Sequence, residues 1–138
     1  MTLVMLRLLI DFGLVVLIWI IQLIVYPSFR FYKIENLIIW HRKYTRLIGY
    51  IVGPLMLLQL GLTIFYTTQE INPINVISLL IISAIWMSTF FQFIPIHNGI
   101  SKGQVTKEML ISLVNKNWLR TFLWTLLFVI NIIYLVNV

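Results

Sequence analysis

Long apolar runs alternate with short polar stretches along the whole chain. The first run covers roughly residues 3–25, enough to cross about 30 Å of hydrocarbon at about 1.5 Å per residue. Pro27 ends or kinks it near Tyr26, and residues 28–36 form a turn. A second helix is expected from Glu35 or Asn36, entering the bilayer near Leu47 and running to about Tyr66. A polar loop without a base, Thr67 to Pro73, leads to a third run over about 74–94, which stops at Pro95. The fourth covers about 118–136. Between the third and fourth runs, residues 96–116 are polar. They hold a short amphipathic pattern with Val105, Met109, Leu110 and Leu113 on one side, as in helices that lie in the membrane interface. The prediction is an all-α membrane protein: a bundle of four transmembrane helices with a short interfacial helix between spans three and four.

The polar residues inside these runs are not scattered. At about 100° per residue, Asp11, Ile18, Gln22 and Phe29 share one narrow arc, with Tyr26 at its edge. That arc should face other helices, since an ionised carboxylate facing lipid is costly. Arg7, one turn before Asp11, is its simplest partner. Asn117, Thr121, Trp124, Phe128 and Asn131 form a stripe on the fourth helix, while Ser83, Ser88 and Gln92 mark the third. Pro54 should bend the second helix, and Gly49 and Gly53 permit close helix approach.

Composition agrees. Hydrophobic residues make up 61% of the 138 and charged residues 10%, against about 45–50% and about 25% in soluble domains. A bilayer can solvate such blocks directly. Without cysteine, disulfides, thiolate nucleophiles and cysteine-ligated metal sites are excluded. The first run is too long for a cleaved signal peptide and lacks a small-residue cleavage site. The chain reads as one domain over 1–138, with no internal repeat or linker.

The net charge of +6 reflects topology rather than nucleic-acid binding. Arg30, Lys33, Arg42, Lys43 and Arg46 follow span one; Lys102, Lys107, Lys116 and Arg120 follow span three. Only Arg7 of the ten bases falls on the other side. The positive-inside rule makes the basic side cytoplasmic and both termini extracytoplasmic. Tyr26, Phe29, Tyr32, Trp40, Tyr44, Phe93 and Trp118 are expected at that inner interface, where amphipathic rings are favoured.

Four helix ends therefore meet at the inner face, bringing Gln22, Tyr26, Glu35, His41, Arg42, Arg46, Gln92, His97, Asn98, Asn117 and Arg120 to one level. Three readings stay open. These groups can be interfacial anchors and mutual hydrogen-bond partners. His41 and His97 can ligate a metal or haem, with Glu35 as a third ligand only if the turn folds back, although no zinc-motif spacing is present. Or the cluster is a pocket for an amphiphile with an anionic head. Tyr26, Arg42, Arg46, Asn98, Asn117 and Arg120 would then bind the substrate, and His41 and His97 would act as acid and base. No serine–histidine–acid set, glycine-rich phosphate loop or carboxylate pair occurs.

Two sets of spacings carry a resemblance. Trp19 to Pro27, Pro27 to Glu35, the basic turn and Pro54 are similar to the start of HemJ-type protoporphyrinogen oxidases, four-helix membrane proteins that use haem. That family carries a haem-binding histidine in the first span, where this chain has Asp11-Phe12, so haem ligation does not carry over. Pro95-Ile96-His97-Asn98 and Asn117-Trp118-Leu119-Arg120-Thr121 resemble motifs of the anthrone oxygenase-like family, membrane proteins of unknown function. That resemblance implies a shared four-helix fold, a lipophilic substrate, and His97, Asn98, Asn117 and Arg120 as pocket residues.

The reading is a multi-pass protein of the cell membrane whose partners are the lipid bilayer and a lipophilic or anionic-headed amphiphile. Its first functional form is a small membrane enzyme acting at the cytoplasmic interface. The alternatives are a non-catalytic subunit or scaffold, and a small transporter that would need oligomerisation and would use Asp11 as its coupling carboxylate. An enzyme requires His41 and His97 to converge on a cavity; a scaffold would keep them apart in a closed bundle.

Overall fold

The computed structural model describes residues 2–137. Four helices account for most of them: α1 (Leu3–Phe31), α2 (Ile34–Gln69), α3 (Pro73–Ser101) and α4 (Lys107–Val136). All four are long and apolar enough to cross a membrane. Their starts follow from local chemistry. Thr2, Asn72 and Thr106 each accept the backbone N–H three residues on, at 3.2, 2.9 and 3.1 Å, satisfying a donor that the helix itself leaves unpaired. Pro73 follows its cap directly, where no N–H is missed. Gly103, at φ +86°, closes α3, and Gln104 N–H returns to the Gly99 carbonyl at 2.9 Å, a turn that favours glycine.

Neither Pro27 nor Pro95 ends its helix. Each follows a π-helical stretch, Ile21–Val25 before Pro27 and Thr89–Phe93 before Pro95. A proline ring collides with the carbonyl four residues back. That carbonyl belongs to Leu23 in one case and Phe91 in the other, both inside the widened stretch. The wide turn absorbs the collision, so α1 runs on to Phe31 and α3 to Ser101. Only Tyr32 and Lys33 are extended between α1 and α2. Each insertion also shifts the helical phase just before Tyr26 and His97.

The separate interfacial helix expected between spans three and four is replaced by the opening turns of α4. With Thr106 as cap and no breaker before Val136, Lys107 to Val136 is one helix. Leu110 and Leu113 are buried core residues rather than membrane-surface anchors.

Each helix packs on its sequence neighbours, and α4 closes back on α1, giving an up-and-down four-helix bundle. The α1–α2 and α3–α4 turns share one end: Arg42 Nε donates to the Ser101 carbonyl at 2.7 Å. The α2–α3 turn lies with both chain ends at the other, where Asn72 Nδ2 donates to the Tyr134 hydroxyl at 3.4 Å. Outward-facing side chains include Leu9, Leu23, Ile24, Leu57, Leu80 and Phe122, all at least half exposed, as a lipid-facing surface requires. Of the aromatics expected at the inner interface, Tyr26, Phe29, Tyr44 and Phe93 are buried, while Tyr32, Trp40 and Trp118 are exposed.

The arc on α1 faces inward as its spacing predicts: Asp11, Ile18, Gln22, Tyr26 and Phe29 are all buried. Its pairing differs. Asp11 forms no hydrogen bond with Arg7; its two oxygens accept from Gln59 Nε2 and Asn131 Nδ2, both at 2.7 Å. Arg7 instead donates to Asn75 Oδ1 at 3.4 Å and lies over the Tyr66 ring. Facing amides from α2 and α4 reach across the bundle, whereas Arg7 on the same helix would have to fold back along α1.

Candidate functional site

A cavity of about 340 Å³ opens in the half of the bundle nearer the basic turns. Its back wall is Leu14, Ile18 and Trp124 of α1 and α4, all buried. Its mouth lies between α2 and α3, where Gly49, Phe90 and Ile94 are exposed. The opening therefore lies on the apolar flank of the bundle. Gly49 and Gly53 do not bring helices together: a Cβ on either would meet nothing within 4 Å. Their missing side chains widen the cavity.

The lining is mostly apolar, with Thr45, Thr89 and the Trp86 indole among it, and at one end Tyr26, Tyr44, His97, Asn98 and Arg120 converge. Arg120 is only 7% exposed. Its guanidinium lies over the rings of Phe93 and Trp124, at 4.3 and 5.2 Å from their centroids, and beside the Tyr26 and Tyr44 hydroxyls. None of these neighbours is an acid, and Nε has no hydrogen-bond partner. Buried charges are ordinarily paired, so an unneutralised guanidinium on a cavity wall favours an anionic or strongly accepting oxygen there.

Behind this end lies a continuous row of hydrogen bonds. Tyr26 OH and His97 Nε2 are 3.0 Å apart. His97 Nδ1 and His41 Nε2 are 2.8 Å apart. His41 Nδ1 and Ser101 Oγ are 3.0 Å apart. His41 is fully buried between Phe29, Tyr44 and His97. The π-helical insertion ahead of Pro27 sets the phase of Tyr26, and that ahead of Pro95 sets the phase of His97, so the two meet across the bundle.

The structure brings together Tyr26, His41, His97 and Arg120, with Asn98 at the cavity rim. It separates the others. Asn117 points away from the cavity, its Nδ2 donating to Gln22 Oε1 at 2.8 Å. Thr121 joins the same oxygen at 3.2 Å, and Gln22 Nε2 donates to the Val114 carbonyl at 3.2 Å; this network ties α1 to α4. Arg42 and Arg46 are exposed and do not line the cavity, because their helix faces turn outward at the basic end. Gln92 accepts from Ser88 Oγ at 3.1 Å. Tyr44, Ser101 and Trp124 belong to the site as well; the sequence marks Tyr44 only as an interfacial aromatic and Trp124 only as part of the fourth helix's stripe, and Ser101 carries no sequence signal beyond its place at a helix end.

The donor set does not suit a metal or haem. The inward nitrogens of His41 and His97 face each other at hydrogen-bond distance, and their outer nitrogens are engaged by Ser101 and Tyr26. Glu35 is exposed in the first turn of α2, and no group of three His, Asp or Glu side chains able to hold a metal forms among the described residues.

Fold and site together define a bundle of four helices long and apolar enough to cross a membrane, with a side-opening cavity and a buried polar end. Compared with protein-family models, curated proteins and solved structures, the chain matches none.

Proposed function

We propose that the protein is a small membrane enzyme that takes a lipophilic molecule with an anionic or electron-rich oxygen head from the bilayer and exchanges a proton with it. The head sits against Arg120, and the apolar part lies along Ile48, Val52 and Phe90. Tyr26 and His97 are the acid–base groups at the head. One observation carries this reading: an unneutralised, buried Arg120 stands beside the hydrogen-bonded Tyr26–His97 pair at the closed end of an apolar cavity. Its volume, about 340 Å³, falls within the range of small-molecule sites. A scaffold has no use for such a space. Asp11, locked by two amides away from the cavity, is poorly placed as a transporter's coupling group. With the basic end cytoplasmic, the head lies near the inner leaflet, where anionic lipids supply ligands of this type.

The test is mass spectrometry of molecules that co-purify in mild detergent, comparing the natural protein with Gly49→Leu. A Cβ at this exposed position meets nothing within 4 Å, so the fold is expected to survive. Replacing an exposed helical glycine should raise stability by about 0.5–1 kcal/mol. The natural protein should carry an anionic amphiphile that Gly49→Leu lacks. Identical extracts from both would sink the cavity as a binding site.

A further inference from the structure

His41 lies behind the polar end, out of reach of a ligand in the cavity. It is fully buried, does not line the cavity, and has a bond at each ring nitrogen. Ser101, its outer partner, is half-buried at the C-terminal end of α3, beside the turn that carries Lys102 and Gly103. The row Tyr26–His97–His41–Ser101 thus runs from the cavity to the basic surface. We infer that it is a proton relay connecting the cavity to water at the basic end, with His41 and Ser101 as positioning residues.

The chemistry of the links supports this. A phenol, a neutral imidazole and a serine hydroxyl each accept a hydrogen bond at one point and donate at another. The row can therefore be drawn with every bond pointing toward Ser101 or every bond pointing toward Tyr26, and no atom is left wrongly paired in either. Suppose the bonds point outward. The Tyr26 oxygen accepts a proton from the head group and passes its own to His97 Nε2. His97 Nδ1 gives its proton to His41 Nε2, His41 Nδ1 gives its proton to Ser101 Oγ, and Ser101 releases one to water. One proton has passed from the head group to water, leaving the head one unit more negative; no member of the row has changed its charge, and the row now points inward. Run in reverse, the same steps deliver a proton to the head. Arg120 donates only, so it leaves either direction open while stabilising negative charge on the head group.

This inference rests on the acid–base reading of the cavity, but its test does not need the ligand. The chain contains two histidines, so histidine labelled with ¹⁵N in the ring alone, in the full protein in zwitterionic nanodiscs, leaves only four nitrogens to assign. A scalar coupling between His41 Nε2 and His97 Nδ1 is expected across their hydrogen bond. Solvent exchange of the proton they share should slow on the order of a hundredfold in Ser101→Ala, the lower end of proton-transfer assistance by a placed side chain. Ser101→Thr, which keeps the hydroxyl, should restore it. No coupling, or an exchange rate indifferent to Ser101→Ala, overturns the relay. Co-purified ligand is measured separately: slowed exchange without any ligand upholds the relay and sinks the cavity reading, and bound ligand with indifferent exchange does the opposite.

Discussion

Arg120→Met releases the anionic occupant of the cavity and leaves the emptied bundle at least as stable as the natural protein. The two effects have opposite signs because the guanidinium is buried without an anion of its own. A hydrogen bond to a charged group contributes about 1.5–3 kcal/mol. Its loss weakens binding about 10- to 100-fold. The empty protein responds differently. Methionine keeps most of the arginine stem's packing and removes a cation whose desolvation costs several kcal/mol. The stacking over Phe93 and Trp124 is lost with it, worth about 0.5–2 kcal/mol, which is the smaller term. Thermal unfolding of delipidated protein should therefore shift upward or stay level, and the stabilisation that added anionic amphiphile gives the natural protein should vanish. Arg120→Lys separates charge from shape: an ammonium lacks the planar fork, so it should retain binding only in part. A destabilised Arg120→Met protein with undiminished ligand content would make Arg120 a structural residue instead.

The architecture was legible because it depends on quantities that a single chain carries. Run length set four helices, and the spacing of Asp11, Gln22, Tyr26 and Phe29 set the inward face of α1. The basic turns brought His41 and His97 to one level, and they do meet. What stayed hidden depends on partners across the bundle. Asp11 binds Gln59 and Asn131, residues distant from it in sequence, whereas Arg7 was merely near in sequence. Pro27 and Pro95 look like helix ends until a π-helical insertion is allowed ahead of each. Gly49 and Gly53 look like a packing motif, yet what they shape is empty space, which no residue type announces. Ser101 is one hydroxyl among many and gains its place only because α3 continues past Pro95. Arg42 and Arg46 were drawn into the cluster by charge alone, and their helix turns them outward.

Asp11→Ala lowers the stability of the bundle by about 3–5 kcal/mol, the largest single loss expected in the apolar layer. Asp11 is 1% exposed, and each carboxylate oxygen takes an amide proton, one from α2 and one from α4. Deleting it orphans two buried donors, each costing about 1–3 kcal/mol, where no water can replace the partner. The damage reaches the cavity. Gln59 Oε1 accepts from Trp124 Nε1 at 3.1 Å, and Trp124 forms both the back wall and a seat for Arg120. Loosening Gln59 frees that ring, so ligand affinity falls together with stability, unlike the opposed effects at Arg120. Asp11→Asn keeps one acceptor oxygen but sets its own amide N–H₂ against a second donor, and should fall between at about 1–3 kcal/mol. Replacing all three partners, Asp11→Leu with Gln59→Leu and Asn131→Leu, removes the carboxylate with its two donors but leaves Trp124 Nε1 and Ser78 Oγ without acceptors, so it should recover only part of the stability, and neither the orientation of Trp124 nor the affinity. Equilibrium unfolding in mixed detergent, set beside ligand content for each variant, distinguishes these outcomes. If Asp11→Ala unfolds like the natural protein, Gln59 and Asn131 have re-paired with each other, and Asp11 is not the group that holds α2 and α4 to α1.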